Sequence, residues 1–142
     1  MAIRGVTGWR PERLRAARRK AGLTQSALAA HLGLATWTVS AWERADGQAP
    51  TVRHLTDLAR ALGTSPYDLA PLPPAATLRD LRQRAGLRTV DLAVELGITD
   101  ASVSAIELRA AWWPSSADRW AALLGVDADT FHTAWEAGRP PP

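Results

Sequence analysis

The chain aligns with itself. Shifted by 64 positions, Leu14–Arg44 falls on Leu78–Leu108 without a gap, and 14 of the 31 positions are identical. Among them Arg18, Gly22, Leu28, Gly33, Val39 and Glu43 recur as Arg82, Gly86, Leu92, Gly97, Val103 and Glu107. Further on, Ala61-Leu62-Gly63 matches Leu123-Leu124-Gly125 at an offset of 62, so the second copy is two residues shorter before its fourth helix. Self-similarity at a fixed period means that one copy is one structural unit, and that what the first folds into the second folds into also. Between them, Pro71-Leu72-Pro73-Pro74-Ala75-Ala76 leans toward polyproline II and reads as a short, stiff linker. The expected division is a first domain at 1–70, a linker at 71–76 and a second domain at 77–142.

Each copy reads as five short helices. Pro11 suits a first helical turn, and Gly22 suits the left-handed residue that stops a helix. Thr24 can cap a second helix carrying Ala27, Leu28 and Leu32 on one face and ending at Gly33. A third helix is expected over Thr36–Arg44, with Val39 and Trp42 inward. Thr51 can cap a fourth that ends at Gly63, and Ser65-Pro66 with Asp68 opens a fifth as a capping box. In the second copy the expected helices are Leu78–Ala85, Thr89–Leu96, Asp100–Leu108, Ser115–Leu124 and Ala128–Ala137, with Thr77, Thr99, Ser115 and Asp127 as caps. No stretch alternates at period two long enough for a strand. The fold class is all-α.

Charge separates the copies. Residues 1–74 hold ten Lys and Arg against five acids, whereas residues 75–142 hold seven Arg against nine acids. The overall charge of +3 therefore hides a basic half and an acidic half, and only the first has the footprint of a polyanion binder. Lys20 is the one Lys. Arg forks onto phosphates and guanine edges better than Lys, although a coding bias toward Arg, Ala and Pro gives the same composition.

Several functions are disfavoured. Without Cys the chain forms no disulfide, thiolate metal site or thiol nucleophile. No window approaches 18 uncharged apolar residues, and Met1–Arg10 has no apolar run of the secretory kind, so a soluble cytoplasmic chain is expected. His31, His54 and His132 stand alone, with no ligand spacing, and neither a phosphate-binding Gly loop nor a nucleophile elbow is present. The expectation is a non-enzyme without cofactor or metal.

The junction Gly33-Leu34-Ala35 leaves three residues to turn the chain between the second and third helices. That is the helix-turn-helix arrangement, which holds a second helix where it can enter a major groove. Ala21-Gly22-Leu23-Thr24-Gln25, Leu28-Ala29, Leu32-Gly33-Leu34, Thr38-Val39-Ser40, Glu43-Arg44 and Ala61-Leu62-Gly63 together resemble the phage-repressor/Cro-like (XRE-type) helix-turn-helix family. Ala85-Gly86-Leu87, Leu92-Ala93, Leu96-Gly97-Ile98, Val103-Ser104 and Glu107 resemble the same family. The resemblance covers nearly all of residues 11–135 and implies two tandem lambda-repressor-like domains that bind double-stranded DNA.

By that resemblance, Thr36, Trp37, Ser40 and Ala41 are the base-facing positions of the recognition helix. Gln25, Thr38, Arg44 and the loop Ala45–Ala49 meet the phosphate backbone, with Arg4 and Arg10 in an N-terminal arm. Arg18–Glu43 and Arg82–Glu107 are structural ion pairs. The run Arg13–Lys20 reads as a solvated helix face with some members meeting phosphates. Trp37 lies two residues from Val39 and cannot share its face, so it points to DNA, to a partner or over a neighbouring helix. Trp and Ala offer bases only apolar contact, which leaves sequence readout to thymine methyls, water, shape or the arm.

The second copy departs where DNA would touch. Thr89 replaces the Gln, Arg88 takes the cap position, and Asp91, Glu95 and Asp100 add carboxylates, while Leu92, Leu96, Ile98, Val103, Ile106, Leu124 and Phe131 keep the core. Trp112-Trp113-Pro114 replaces a polar loop, and an exposed Trp pair there marks an interface. Three readings follow. The first is a repressor-like regulator whose second domain supports self-association, DNA wrapping or a protein contact. In the second, both domains read DNA as tandem half-site readers, with Arg82, Arg84, Arg88 and Arg109 in favour. The third is an antitoxin-like or adaptor protein that holds a protein partner. A homodimer, or a monomer with two readers, fits the first two.

Overall fold

Among the described residues, ten helices follow largely from caps and stops written in the sequence. A computed structural model describes residues 5–109 and 112–140, the side chain of Arg109 excepted, and among these residues there is no strand. In the first unit, α1 is Pro11–Lys20, α2 Gln25–Leu32, α3 Thr36–Trp42, α4 Val52–Leu62 and α5 Pro66–Leu69. In the second, α6 is Leu78–Arg84, α7 Thr89–Leu96, α8 Asp100–Arg109, α9 Ala117–Leu124 and α10 Ala128–Ala137. Thr24 and Thr51 accept the N–H groups of Ala27 (3.0 Å) and His54 (3.4 Å), so each caps its helix as expected. Asp68 and Asp80 complete capping boxes with Ser65 and Thr77. Thr99 accepts from Ser102 N–H at 3.0 Å, and Asp127 from Thr130 N–H at 2.7 Å.

Four helix ends differ from expectation, among them α6, which stops at Arg84 rather than Ala85, and α8, which runs to Arg109 rather than Leu108. Ser116, not Ser115, sits at the N-cap of α9, in a conformation (φ −103°, ψ 32°) that makes no side-chain cap bond. Helix α3 ends at Trp42 rather than Arg44, because the Glu43 N–H is shared between the carbonyls of Val39 and Ser40, tightening the last turn. The chain then folds back. A Cβ at Gly47 would lie 1.9 Å from the Ala41 carbonyl oxygen, so this return needs glycine.

The chain divides into two compact units, Met1–Pro71 and Leu72–Pro142. The first core gathers Leu14, Leu28, Val39, Trp42, Leu55, Leu58 and Leu69. The second gathers Leu78, Leu81, Leu92, Val103, Ile106, Trp120, Leu124, Phe131 and Trp135. Leu96 and Ile98 pack against it while partly buried. The cores differ by an exchange. At offset 64 Trp42 becomes Ile106, and at offset 62 Leu58 becomes Trp120, so the indole moves from the third helix to the fourth while the summed volume hardly changes.

Candidate nucleic-acid interface

The α2–α3 junction is built from its turn outward. Gly33 closes α2 at φ +70°, a left-handed conformation in which side chains are strained. Leu34 donates its N–H to the Ala29 carbonyl at 2.8 Å and packs its side chain against the core. Three residues thus turn the chain, and α3 begins at Thr36. Val39 and Trp42 anchor its inner face at 0% and 6% exposure. Trp37 is 73% exposed on the opposite side, so no neighbouring helix covers it. Thr36 is exposed, and Thr38, Ser40 and Ala41 are half-buried.

Beside α3 runs a cleft of about 280 Å³, lined by Trp37, Ala41, Gln48, Pro50, Thr51 and His54 among others. His54 tilts against Trp42, ring centroids 5.2 Å apart, with Nδ1 3.3 Å from Thr51 Oγ1. Sequence reasoning passed over His54 as an isolated surface histidine. Its spacing of three from the capping Thr51 was the available signal, since that places it on the first turn of α4.

A buried carboxylate ties this apparatus to α1. Arg18 Nε and Nη2 donate to Glu43 Oε2 and Oε1 at 2.6 and 3.0 Å, and Arg18 Nη1 donates to the Leu23 carbonyl at 2.9 Å. Gln25 Nε2 and Arg15 Nε also donate to Glu43 Oε1, at 3.2 and 3.4 Å. Burial pushes the Glu43 carboxyl up, but the bonds from Arg18, Gln25 and Arg15 outweigh it and hold the group below the usual glutamate range. The Arg18 guanidinium, bonded to Glu43, is shifted further toward its protonated form. Gln25 is thus fixed at the start of α2 through the carboxylate of the residue that caps the end of α3.

In the basic run on α1, Arg13, Arg15, Arg19 and Lys20 are exposed. Arg18 is buried, Arg15 closes on Glu43, and Arg13 Nη1 donates to the Asp68 carbonyl at 3.2 Å. Arg44 is exposed and 3.7 Å from Asp46, and Arg10 is exposed and 4.0 Å from Glu12. Exposed pairs this loose are worth little and leave both guanidinium groups open to phosphate. Arg4 lies outside the described residues.

The second unit repeats the scaffold with fewer donors. Arg82 Nε donates to Glu107 Oε2 at 2.6 Å, and Arg82 Nη1 to the Leu87 carbonyl at 2.8 Å. With Thr89 in place of Gln25, the amide donor is gone. Burial pushes the Glu107 carboxyl up, Arg82 and Arg79 do not bring it back, and it stays above the usual range. Arg82 and Arg84 are buried, so these two side chains cannot meet a phosphate, against the expectation that favoured a second DNA reader. Arg88 is paired with Asp91 at 3.0 Å. Glu95 and Asp100 are exposed.

Of the tryptophans in this unit, Trp120 and Trp135 are core. Trp112 and Trp113 are each about half exposed. Trp113 packs edge-on against Phe131 and Trp135 at 5.5 and 5.2 Å, while the Trp112 carbonyl accepts from Trp135 Nε1 at 3.1 Å.

A tight turn between two helices, the second standing proud of the core, defines each unit as a helix-turn-helix domain of the DNA-binding class. Comparison with known families agrees. A helix-turn-helix family profile matches residues 14–69, and a second helix-turn-helix domain profile matches residues 75–132. The chain belongs to the helix-turn-helix family as two tandem domains, the first of the XRE type. No curated relative and no solved structure matches it. Among the described residues, no helix is long and apolar enough to cross a membrane.

Proposed function

We propose that this chain is a sequence-specific, repressor-like transcriptional regulator that binds double-stranded DNA through its first domain, residues 1–70. In this reading α3 enters the major groove. Thr36, Trp37, Ser40 and Ala41 face base edges, and Gln25, Thr38, Arg44, Arg10 and Arg4 meet phosphates. The observation that carries the reading is Trp37, 73% exposed on α3 of a helix-turn-helix, where burying an indole against thymine methyls or sugars recovers apolar surface left in water. The burial of Arg82 and Arg84 and the pairing of Arg88 with Asp91 support one reader per chain. A single module of this size covers too little DNA for tight specific binding, so a homodimer supplies the second half-site. The second domain, 77–142, serves protein contact, for which the half-exposed Trp112 and Trp113 speak.

Selection of bound duplexes from a random pool, repeated at several salt concentrations, tests this. One enriched half-site, or an inverted pair, is expected, with log affinity falling linearly against log salt. No enriched motif and no salt slope would sink the reading. A direct repeat bound by a monomer would favour two readers in one chain.

A further inference from the structure

Set in register, the outer faces of the two helix-turn-helix pairs differ: Trp37 on the third helix gives way to Ala101, while apolar residues appear on the second helix and at the end of the third. Ser26, Ala30 and Arg44 of the first copy correspond to Val90, Val94 and Leu108 of the second. All three apolar replacements are exposed, Val94 at 80%. The inward side of α7 is satisfied separately by Leu92 and Ala93, which are buried. Val on the solvent side of a helix loses rotamer freedom and leaves apolar surface in water. Two of them four residues apart form a stripe that contributes nothing to the fold.

The stripe extends past α7. The bond from Gln25 to Glu43 sets the start of α2 beside the end of α3. Thr89 and Glu107 hold the same two positions, so Val90 and Leu108, one residue beyond each, stand at the same end of the second pair. Half-exposed Trp112 follows in the loop after α8. Charge changes on the same face, where His31 and Thr36 become Glu95 and Asp100. Residues 88–108 hold four acids and one Arg, itself paired with Asp91, against one acid and one Arg in residues 24–44.

We infer that this face of the second domain is a docking surface for a protein segment with an apolar stripe flanked by Lys or Arg. The inference rests on the reading of that domain as a protein-contact module. Val90, Val94 and Leu108 take the stripe, and Glu95 and Asp100 meet the flanking cations. DNA is a poor occupant, since it brings phosphate to exposed carboxylates and gains nothing from valine. A second copy is also a poor one, because a two-fold interface through this face sets its acidic rim against itself.

The full chain is titrated with three labelled synthetic peptides, read by fluorescence anisotropy. One is an amphipathic helix with a Leu stripe and Lys flanks, one carries Glu flanks, and one has Ser in place of the Leu stripe. The Lys-flanked peptide is expected to bind at least about tenfold tighter than either of the others, a difference of about 1.4 kcal/mol. Val94→Ser and Glu95→Lys, both at exposed positions that leave the helical circular dichroism unchanged, each weaken it about tenfold. Asp129→Lys, which removes the same charge from α10, leaves affinity within about twofold. Absent binding, indifference to flank charge, or insensitivity to the two face variants overturns the proposal. So does a dimer-to-monomer shift in sedimentation caused by Val94→Ser, which would make a second copy the occupant. Random-pool DNA selection on the same preparations separates the two readings. An intact DNA motif without peptide binding removes this surface alone, and the converse removes the DNA reading alone.

Discussion

Glu43 and Glu107 occupy one position in two copies of one fold, each buried and each 2.6 Å from an arginine, yet their carboxyls shift in opposite directions. The difference lies in the company around the pair. Glu43 collects Arg15 and Gln25 in addition to Arg18, while at the second site Thr89 removes the amide and burial prevails. A short ion pair therefore does not by itself say which protonation state the fold favours. The balance between desolvation and the number of donors decides it. The same replacement of Gln by Thr also removes the residue expected to touch phosphate, so electrostatics inside the second domain and chemistry on its surface drifted together.

The comparison can be broken most sharply at the arginines. Arg82→Ala strands Glu107 and is expected to cost about 3–5 kcal/mol. Arg18→Ala costs less, since Arg15 and Gln25 still serve Glu43. Urea unfolding of each variant measures this, and equal losses would show that the extra donors contribute nothing. The core exchange comes next. Ile106→Trp alone overpacks the second core by about 1–3 kcal/mol. Trp120→Leu alone opens a cavity, at about 2–4 kcal/mol. The double variant returns the indole to the third helix, as in the first copy, and is expected to recover much of the loss, as a double-mutant cycle reads directly.

At the DNA face, Trp37→Ala is expected to cost about 1–3 kcal/mol at one base position, whereas Gln25→Ala weakens all sequences alike. Ala101→Trp, the matching change in the second domain, is expected to create no new motif in pool selection.

Protonation gives a smaller effect, at most about 1.4 kcal/mol per pH unit for each proton. Glu43, held below its ordinary range, contributes stability present above the ordinary glutamate pKa, and that stability is lost as pH falls through its lowered value. Glu107, held above its ordinary range, does the reverse. Its ionised form costs stability that returns as pH falls from the raised value toward the ordinary one. Glu43→Gln should therefore flatten the stability profile on the acid side, and Glu107→Gln should remove a slope of opposite sign at higher pH. Indole resonances followed by NMR assign each slope to its domain. Smallest is the cap pair. Thr24→Ala costs about 1 kcal/mol in the first domain, and Asp91→Ala, which loses the bond from Arg88 N–H, costs a similar amount in the second.

The repeat, the glycine stops and most caps were legible in the sequence because each is local. Gly33, Thr24 and Ser65 act within four residues of themselves. The outward direction of Trp37 was also legible, from its spacing to Val39. What escaped depends on contacts between distant residues. The Arg18–Glu43 pair was expected from the resemblance, but that Arg15 and Gln25 also close on Glu43, 28 and 18 residues on, depends on the packed position of that carboxylate. His54 was missed for the same reason, as its partner Trp42 lies on another helix. The exposure of Val94 was hidden within an apolar run, although the aligned Ala30 held the clue.

Tandem copies so alike face a risk of their own, since a segment of one can dock into the half-formed core of the other during folding. The displaced indole works against that error. A hybrid core joining α3 to α9 must hold Trp42 and Trp120 together, while its complement, α8 with α4, is left with Ile106 and Leu58. One mismatched core is overfilled and the other hollow, so each copy carries in its own packing a mark by which it recognises its own helices.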